Sequence, residues 1–255
     1  MSNSPIQCFA ADLDDTLHDF GYSSSKAISA VIALVATESS INPTVLLNVY
    51  TELLKDAQYT NFTLDLPSRE YRRRRFTRFL QYFGLLDRVK LEYLLDVYDE
   101  QIGQYILAFD GVQALFAQCK ALGLVTMIIT EGPYDAQLKV LRALKIDHLV
   151  DHLVTSSKEH VIKVEGLLER GVARVGIEPH RIMYVGDRYN RDYAPARALG
   201  MQAFLLRYFQ PYTRKTYHLR HQQQDYQITS LRQLIAILNR TTLIEGRSIR
   251  AINLV

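Results

Sequence analysis

Two rhythms of apolar and polar positions divide the chain. Residues 6–11 form a short apolar run without Gly or Pro that stops at Asp12, the pattern of a buried strand ending in acid. From Ser23 to about Phe109 the spacing turns helical. Ile28, Val31, Ile32 and Val35 mark one helix, and Leu46, Val49, Tyr50, Leu53 and Leu54 mark a second behind an Asn42-Pro43 start signal. Tyr71, Phe76, Phe79, Leu80 and Phe83 lead to a Gly84 stop, and Leu91, Leu94, Leu95, Tyr98, Ile102, Tyr105 and Ile106 continue the theme. This block predicts a bundle of about four helices.

Beyond Phe109 the rhythm becomes helix, strand, helix. Val112, Leu115, Phe116, Cys119 and Leu122 share a helix face closed by Gly123. Strands are predicted at 124–129, 149–154, 182–185 and 203–206, with helices near 134–145, 160–174 and 192–199 and a last one at 231–238. Alternating units of this length imply a parallel sheet covered on both faces. The isolated first strand joins that sheet, which makes the helical block an insertion. The expected fold is thus α/β: a Rossmann-like core of residues 1–17 and 108–240, an all-helical insertion of residues 18–107, and a C-terminal tail, 241–255, without a packing pattern.

Composition changes this picture little. The 255 residues are 48% hydrophobic and 22% charged with 12 Gly and 7 Pro, which excludes a disordered or fibrous chain. Cys8 and Cys119 each sit in an apolar run and make no disulfide framework, so buried thiols in a reducing, cytoplasmic setting are expected. The first 17 residues lack a basic leader and place three aspartates where a signal peptide would stay apolar. No continuous run approaches the roughly 20 apolar residues of a membrane span, and no membrane partner is expected.

Charge is unevenly placed: residues 18–107 are net −1, and residues 207–255 are net +6. Arg72, Arg73, Arg74 and Arg75 are consecutive on a predicted helix and cannot share a face. Most are expected to be solvated or paired with acids such as Glu70 and Asp65, leaving one that could reach the site and read an anionic group. Residues 207–222 mix Arg207, Arg214, Lys215 and Arg220 with Tyr208, Phe209, Tyr212 and Tyr217. A connecting loop is the favoured reading there, and nucleic acid is disfavoured as a partner.

Ligands of open α/β sheets bind beyond the carboxyl ends of the strands. At those ends stand Asp12-Leu13-Asp14-Asp15-Thr16, then Thr130-Glu131-Gly132, then Gly186-Asp187 followed by Asp192, with Lys163 or Lys158 after the third strand. Several carboxylates in one small volume repel one another and are costly to desolvate. A hard cation such as Mg²⁺, which accepts a few carboxylate oxygens and completes its shell with water and phosphate, removes that problem. Asp12, Asp187 and Asp192 with Lys163 would hold cation and phosphoryl group, and Thr130 would donate to phosphate oxygens. The constellation points to phosphoryl transfer.

DLDDTL at 12–17, IITEG at 128–132, KVEGLL at 163–168 and YVGDRYNRDYAPARALGM at 184–201 stand in the order of the four motifs of the haloacid dehalogenase-like (HAD) hydrolases, which the chain resembles over residues 5–17 and 108–240. The resemblance implies a helical cap at the inserted position. It implies Asp12 as a nucleophile forming an aspartyl-phosphate, and Asp14 as the acid and base that also offers its backbone carbonyl to Mg²⁺. Thr130 and Lys163 would act on the phosphoryl oxygens, and Asp187 and Asp192 on the metal, directly or through water. Dehalogenases of the family lack the second aspartate of the first motif, so Asp14 favours phosphate over halogen.

Three positions depart from the pattern: Asp15 replaces a frequent Gly, Glu131 a commoner Asn or Gly, and no Pro follows the lysine, which leaves Lys158 as an alternative to Lys163. The expected activity is a Mg²⁺-dependent phosphatase for a small phosphorylated metabolite, namely a nucleotide monophosphate, phosphoglycolate or a sugar phosphate. The alternatives are a phosphomutase and a silent binding module, and the expected assembly is a monomer or weak homodimer.

Overall fold

The structure is a computed structural model that describes residues 5–56, 61–207 and 226–243, the side chains of 241–243 excepted. Its centre is a parallel sheet built from β1 (Cys8–Ala11), β2 (Val125–Thr130), β3 (His152–Thr155), β4 (Ile182–Gly186), β5 (Gln202–Leu206) and β6 (Gln227–Ile228). The strand order is β3-β2-β1-β4-β5-β6, and every pairing is parallel. Successive side chains alternate across each strand. Phe9, Ala11, Ile128, Met183 and Val185 therefore share one face and pack under α5 (Val112–Ala121), α6 (Tyr134–Ala143) and α10 (Arg232–Leu243). Cys8, Ala10, Met127, Ile129 and Tyr184 take the other, under α8 (Leu167–Val175) and α9 (Ala194–Ala198). Burial on both faces explains why the strands read as unbroken apolar runs rather than as alternation.

Between β1 and α5 lie four helices among the described residues: α1 (Phe20–Ser39), α2 (Pro43–Leu53), α3 (Ser68–Tyr82) and α4 (Leu91–Gln104). Asn42 caps α2 by accepting from Thr44 N at 2.8 Å, and Pro43 fits the first turn because it has no amide hydrogen to leave unsatisfied. The helices bury a core of their own, centred on Val35, Leu46, Phe76, Phe79, Leu80 and Leu95, all fully buried. α1 is long and apolar enough by composition to cross a membrane, yet its Ala27, Ile28, Val31, Ile32 and Val35 pack into that core as in an ordinary interior helix. The chain leaves and re-enters the sheet domain side by side: Phe109 N donates to Leu17 O at 2.9 Å, and Asp19 N to Leu107 O at 3.2 Å.

Three expectations need correction. A single helix over 160–174 is not formed: a short helix α7 (Ser156–Glu159) ends at His160, residues 163–165 make a 3-10 turn, and α8 starts only after Gly166, whose φ of 121° breaks the helical path. The third strand ends at Thr155, one residue past the predicted 149–154, because Thr130 and Thr155 are paired across β2 and β3. β6 is a two-residue strand, too short for periodicity to reveal. The last helix continues beyond the predicted 231–238 to Leu243, and the aromatic-basic stretch 208–222 and the rest of the tail lie outside the described residues.

Candidate active site

The order of strands reverses at β1, whose neighbours β2 and β4 lead away in opposite directions, and the crevice outside the carboxyl ends opens there. Asp12, the residue after β1, is fixed by its own amide donating to Val185 O at 2.9 Å. Asp187 follows β4. Asp192 comes from a π-turn, Tyr189–Tyr193, that tucks its carboxylate back under β4. The approach depends on Gly186, where an added Cβ would stand 2.4 Å from Asp192 Cβ and Cγ. Ligand oxygens of Asp12, Asp187 and Asp192 all lie within 4.8 Å of one another, and the three residues are buried.

One ammonium meets these carboxylates. Lys163, 4% exposed, places Nζ 2.5 Å from Asp12 Oδ1 and 2.6 Å from Asp192 Oδ1. Asp192 Oδ1 also accepts from Tyr184 Oη at 2.8 Å, and its Oδ2 from Arg188 N at 3.0 Å, so both oxygens are held by protein donors. Asp12 Oδ2 accepts from Thr16 Oγ1 at 2.9 Å. Asp187 Oδ2 is buried with no hydrogen-bond donor, and Arg188 Nε stands 3.9 Å from it. Burial, which Lys163 only partly offsets, pushes the Asp12 carboxyl up to about 7. Burial together with the charges of Asp12 and Asp192 pushes Asp187 up to about 8. Burial alone would lower the Lys163 ammonium, but the Asp12 and Asp192 carboxylates outweigh it and hold its pKa above the ordinary value.

Lys158, the alternative lysine, is not part of this cluster. It is half-exposed and pairs with Asp65 at 2.8 Å, so Asp65 is not an acid for the consecutive arginines. The turn that delivers Lys163 is held by Glu131: Lys163 N donates to Glu131 Oε1 at 2.7 Å, and Arg191 pairs with Oε2. The glutamate that departs from the family pattern thus ties the end of β2 to the lysine turn.

Asp14 stands on the open side of the cleft. Its Oδ1 lies 2.9 Å from Nε2 of the buried His18, and its Oδ2 accepts from Gln137 Nε2 at 3.2 Å. Neither residue was singled out in the sequence. His18 follows Asp14 by four positions, a spacing that offers a weak signal, whereas Gln137 comes from α6 and only folding brings it there. A Cβ on Gly132 would sit 2.3 Å from Gln137 Nε2, so that glycine clears the amide's path. Asp15 takes a φ of 61°, the left-handed region that accounts for a frequent Gly here, and its Oδ1 accepts from Gly21 N at 2.9 Å. Thr130 Oγ1, at the end of β2, is buried and unpartnered.

Above these residues a cavity of about 430 Å³ runs from Asp12, Asp14 and Thr130 to the helical insertion, where Tyr50, Phe62, Arg72, Arg75, Tyr98 and Ile102 line it. Ser68 of α3 closes one side by donating from its N and Oγ to the Asp135 carboxylate of α6 at 2.8 and 2.7 Å.

A family model described as haloacid dehalogenase-like hydrolase matches residues 6–200. The chain belongs to the haloacid dehalogenase-like hydrolase family. It is an enzyme of that hydrolase fold. Over 245 residues it is 28% identical to the glyceraldehyde 3-phosphate phosphatase of Pyrococcus furiosus, spanning 92% of this chain and 94% of that relative. A haloacid dehalogenase-like hydrolase domain-containing protein 3 of Xenopus laevis is 30% identical over 98 residues, which cover 38% of this chain and only 39% of that relative. A HAD phosphatase from Thermococcus onnurineus shares the fold with a TM-score of 0.65 at 21% identity, over 91% of this chain and 98% of that one.

The site fits a divalent cation. Three buried carboxylates face a single ammonium, and Asp187 offers an oxygen that no protein donor satisfies.

Proposed function

We propose that this HAD-like hydrolase is a Mg²⁺-dependent phosphatase that cleaves a small phosphorylated metabolite in the cytoplasm through an aspartyl-phosphate. The observation that carries the reading is the buried trio Asp12, Asp187 and Asp192 around Lys163, facing Asp14 and the unpartnered Thr130 hydroxyl across one cleft. Asp12 is the nucleophile: one of its carboxylate oxygens, which accept from Lys163 and Thr16, attacks phosphorus while the ester oxygen leaves. Asp14 gives that oxygen a proton and then takes one from the water that cleaves the acyl phosphate, with His18 and Gln137 fixing its orientation. Thr130 Oγ1 donates to a phosphoryl oxygen, and the Lys163 ammonium balances charge that builds up in the transition state.

Asp12, Asp187 and the Asp14 carbonyl would hold Mg²⁺. Asp192, whose oxygens already accept from Lys163, Tyr184 and the Arg188 amide, anchors the lysine and would serve the ion only through water. Bound there, the ion supplies positive charge that offsets the carboxylates and the incoming phosphate. The helical insertion, residues 18–107, acts as the cap that keeps bulk water from the cleft. Named relatives that act on a phosphorylated three-carbon aldehyde support a small substrate.

The test is phosphate release from p-nitrophenyl phosphate and a panel of small phosphomonoesters, with Mg²⁺ and with EDTA. Turnover that needs Mg²⁺ and falls by at least about a thousandfold in Asp12→Asn is expected. An Asp12→Asn protein that releases phosphate at the wild-type rate overturns the nucleophile assignment.

A further inference from the structure

The four consecutive arginines of α3 have unequal partners. Arg72 pairs with Asp99 at 2.7 Å and donates to Ser68 Oγ at 2.7 Å, while Arg69 shares the same Asp99 at 3.0 Å. Arg73 pairs with Glu70 and Glu92, and Arg74 with Glu70. Arg75 has no carboxylate partner among the described residues. Its Nε, like that of Arg72, is buried without an acceptor among the described residues, and its guanidinium lies 5.9 Å from the centre of the Phe62 ring.

Arg75 lines the same cavity as Asp12 and Thr130, at the end formed by the helical insertion. Arg72 stands on the same wall, and its partner Asp99 is already shared with Arg69. The other Lys and Arg residues on the cavity wall are paired or solvated: Lys163 pairs with Asp12 and Asp192, Arg191 with Glu131 and Arg72 with Asp99, Arg188 is half-exposed beside Asp187, and Lys139 is exposed to water. A partly desolvated guanidinium without a counter-ion is costly, and its planar fork matches a carboxylate or phosphate.

We propose that Arg75 is a specificity residue that binds a second anionic group of the substrate, so that the preferred substrate is a small phosphomonoester carrying a carboxylate or a further phosphate away from the scissile bond. This rests on the phosphatase reading and narrows it: uncharged triose and alcohol phosphates become poor substrates, and phosphorylated hydroxy acids or bisphosphates good ones.

The experiment compares kcat/KM for glycerol 3-phosphate, 3-phosphoglycerate and 2,3-bisphosphoglycerate, which differ in charge on a common three-carbon frame. A charge-assisted hydrogen bond to the second anion should favour one or both charged compounds by at least about tenfold in the wild type. Arg75→Ala and Arg75→Gln should bring that ratio near one, and Arg75→Lys should keep part of it. A preference for 3-phosphoglycerate over glycerol 3-phosphate points to the carboxylate, and a further gain with 2,3-bisphosphoglycerate, which carries the same carboxylate, points to the second phosphate. A ratio near one in the wild type, or a preference that survives both Arg75→Ala and Arg75→Gln, overturns the proposal.

If no compound releases phosphate, the phosphatase reading fails on its own, and calorimetry with 3-phosphonopropionate against propylphosphonate in the presence of Mg²⁺ still decides the subsite. Tighter binding of the carboxylate-bearing phosphonate that is lost in Arg75→Ala supports it. Equal affinities overturn it.

Discussion

Replacing Lys163 by Met tests the electrostatics of the site most directly. The side chain keeps nearly its length, and the one charge among the described residues that touches both Asp12 and Asp192, at 2.5 and 2.6 Å, is removed. All three groups are buried, so water does not screen the loss. Breaking such a buried pair by deleting one partner costs about 3–5 kcal/mol. For a chain of this size each kcal/mol moves Tm by about 2–4 °C, which gives a fall of roughly 6–20 °C in metal-free protein.

Proton uptake limits the loss. Asp12 is already pushed up to about 7 and Asp187 to about 8 by burial, and without the ammonium Asp12 rises further, so at low pH the carboxyls become neutral and the deficit shrinks. Thermal unfolding of wild type and Lys163→Met in EDTA, followed from about pH 5 to about pH 8, should show a gap in Tm that widens with pH. Lys158→Ala is the control: its ion pair with Asp65 is half-exposed on both sides and contributes at most about 1 kcal/mol. A Lys163→Met protein within about 2 °C of wild type at pH 8 would refute the reasoning, because a difference that small corresponds to no more than about 1 kcal/mol.

Two further outcomes follow from the same geometry. The folded-state carboxyls of Asp12 and Asp187 lie above their unfolded value of 3.8, so their contribution to stability is present at acid pH and is lost as pH rises through about 7 to 8. Mg²⁺ needs the deprotonated forms, and the Tm gain from added Mg²⁺ should therefore be larger at pH 8 than at pH 5; a gain that does not change with pH counts against a carboxylate site. Gly186→Ala would drive a Cβ to 2.4 Å from Asp192, which must shift, and a loss of about 1–3 kcal/mol with weakened Mg²⁺ binding is expected from thermal unfolding and metal titration. Unchanged stability and metal affinity would show that Asp192 is not held as described.

The sequence by itself determined the layered α/β class, the helical insertion and the strand-end acids. Each of these rests on local periodicity or on a residue type next to a strand end, and both are properties of neighbours in the chain. The apolar runs before Asp12, Thr130 and Asp187 are too short for helices of ordinary length and fit buried strands, and parallel strands align their carboxyl ends.

What only the tertiary structure decided depends on contacts between residues far apart in the chain. That Lys163 and not Lys158 stands beside Asp12 and Asp192 depends on the break at Gly166 and on the long-range hold of Glu131 on the Lys163 amide. The Gln137 contact with Asp14 spans the insertion, and the pairing of Lys158 with Asp65 joins the insertion to the core. The arginines of α3 look alike in sequence. Only the packing of α3 against α4 shows that Arg72 pairs with Asp99 while Arg75 faces the cleft without a partner acid among the described residues, because pairing depends on which carboxylates the fold brings within reach.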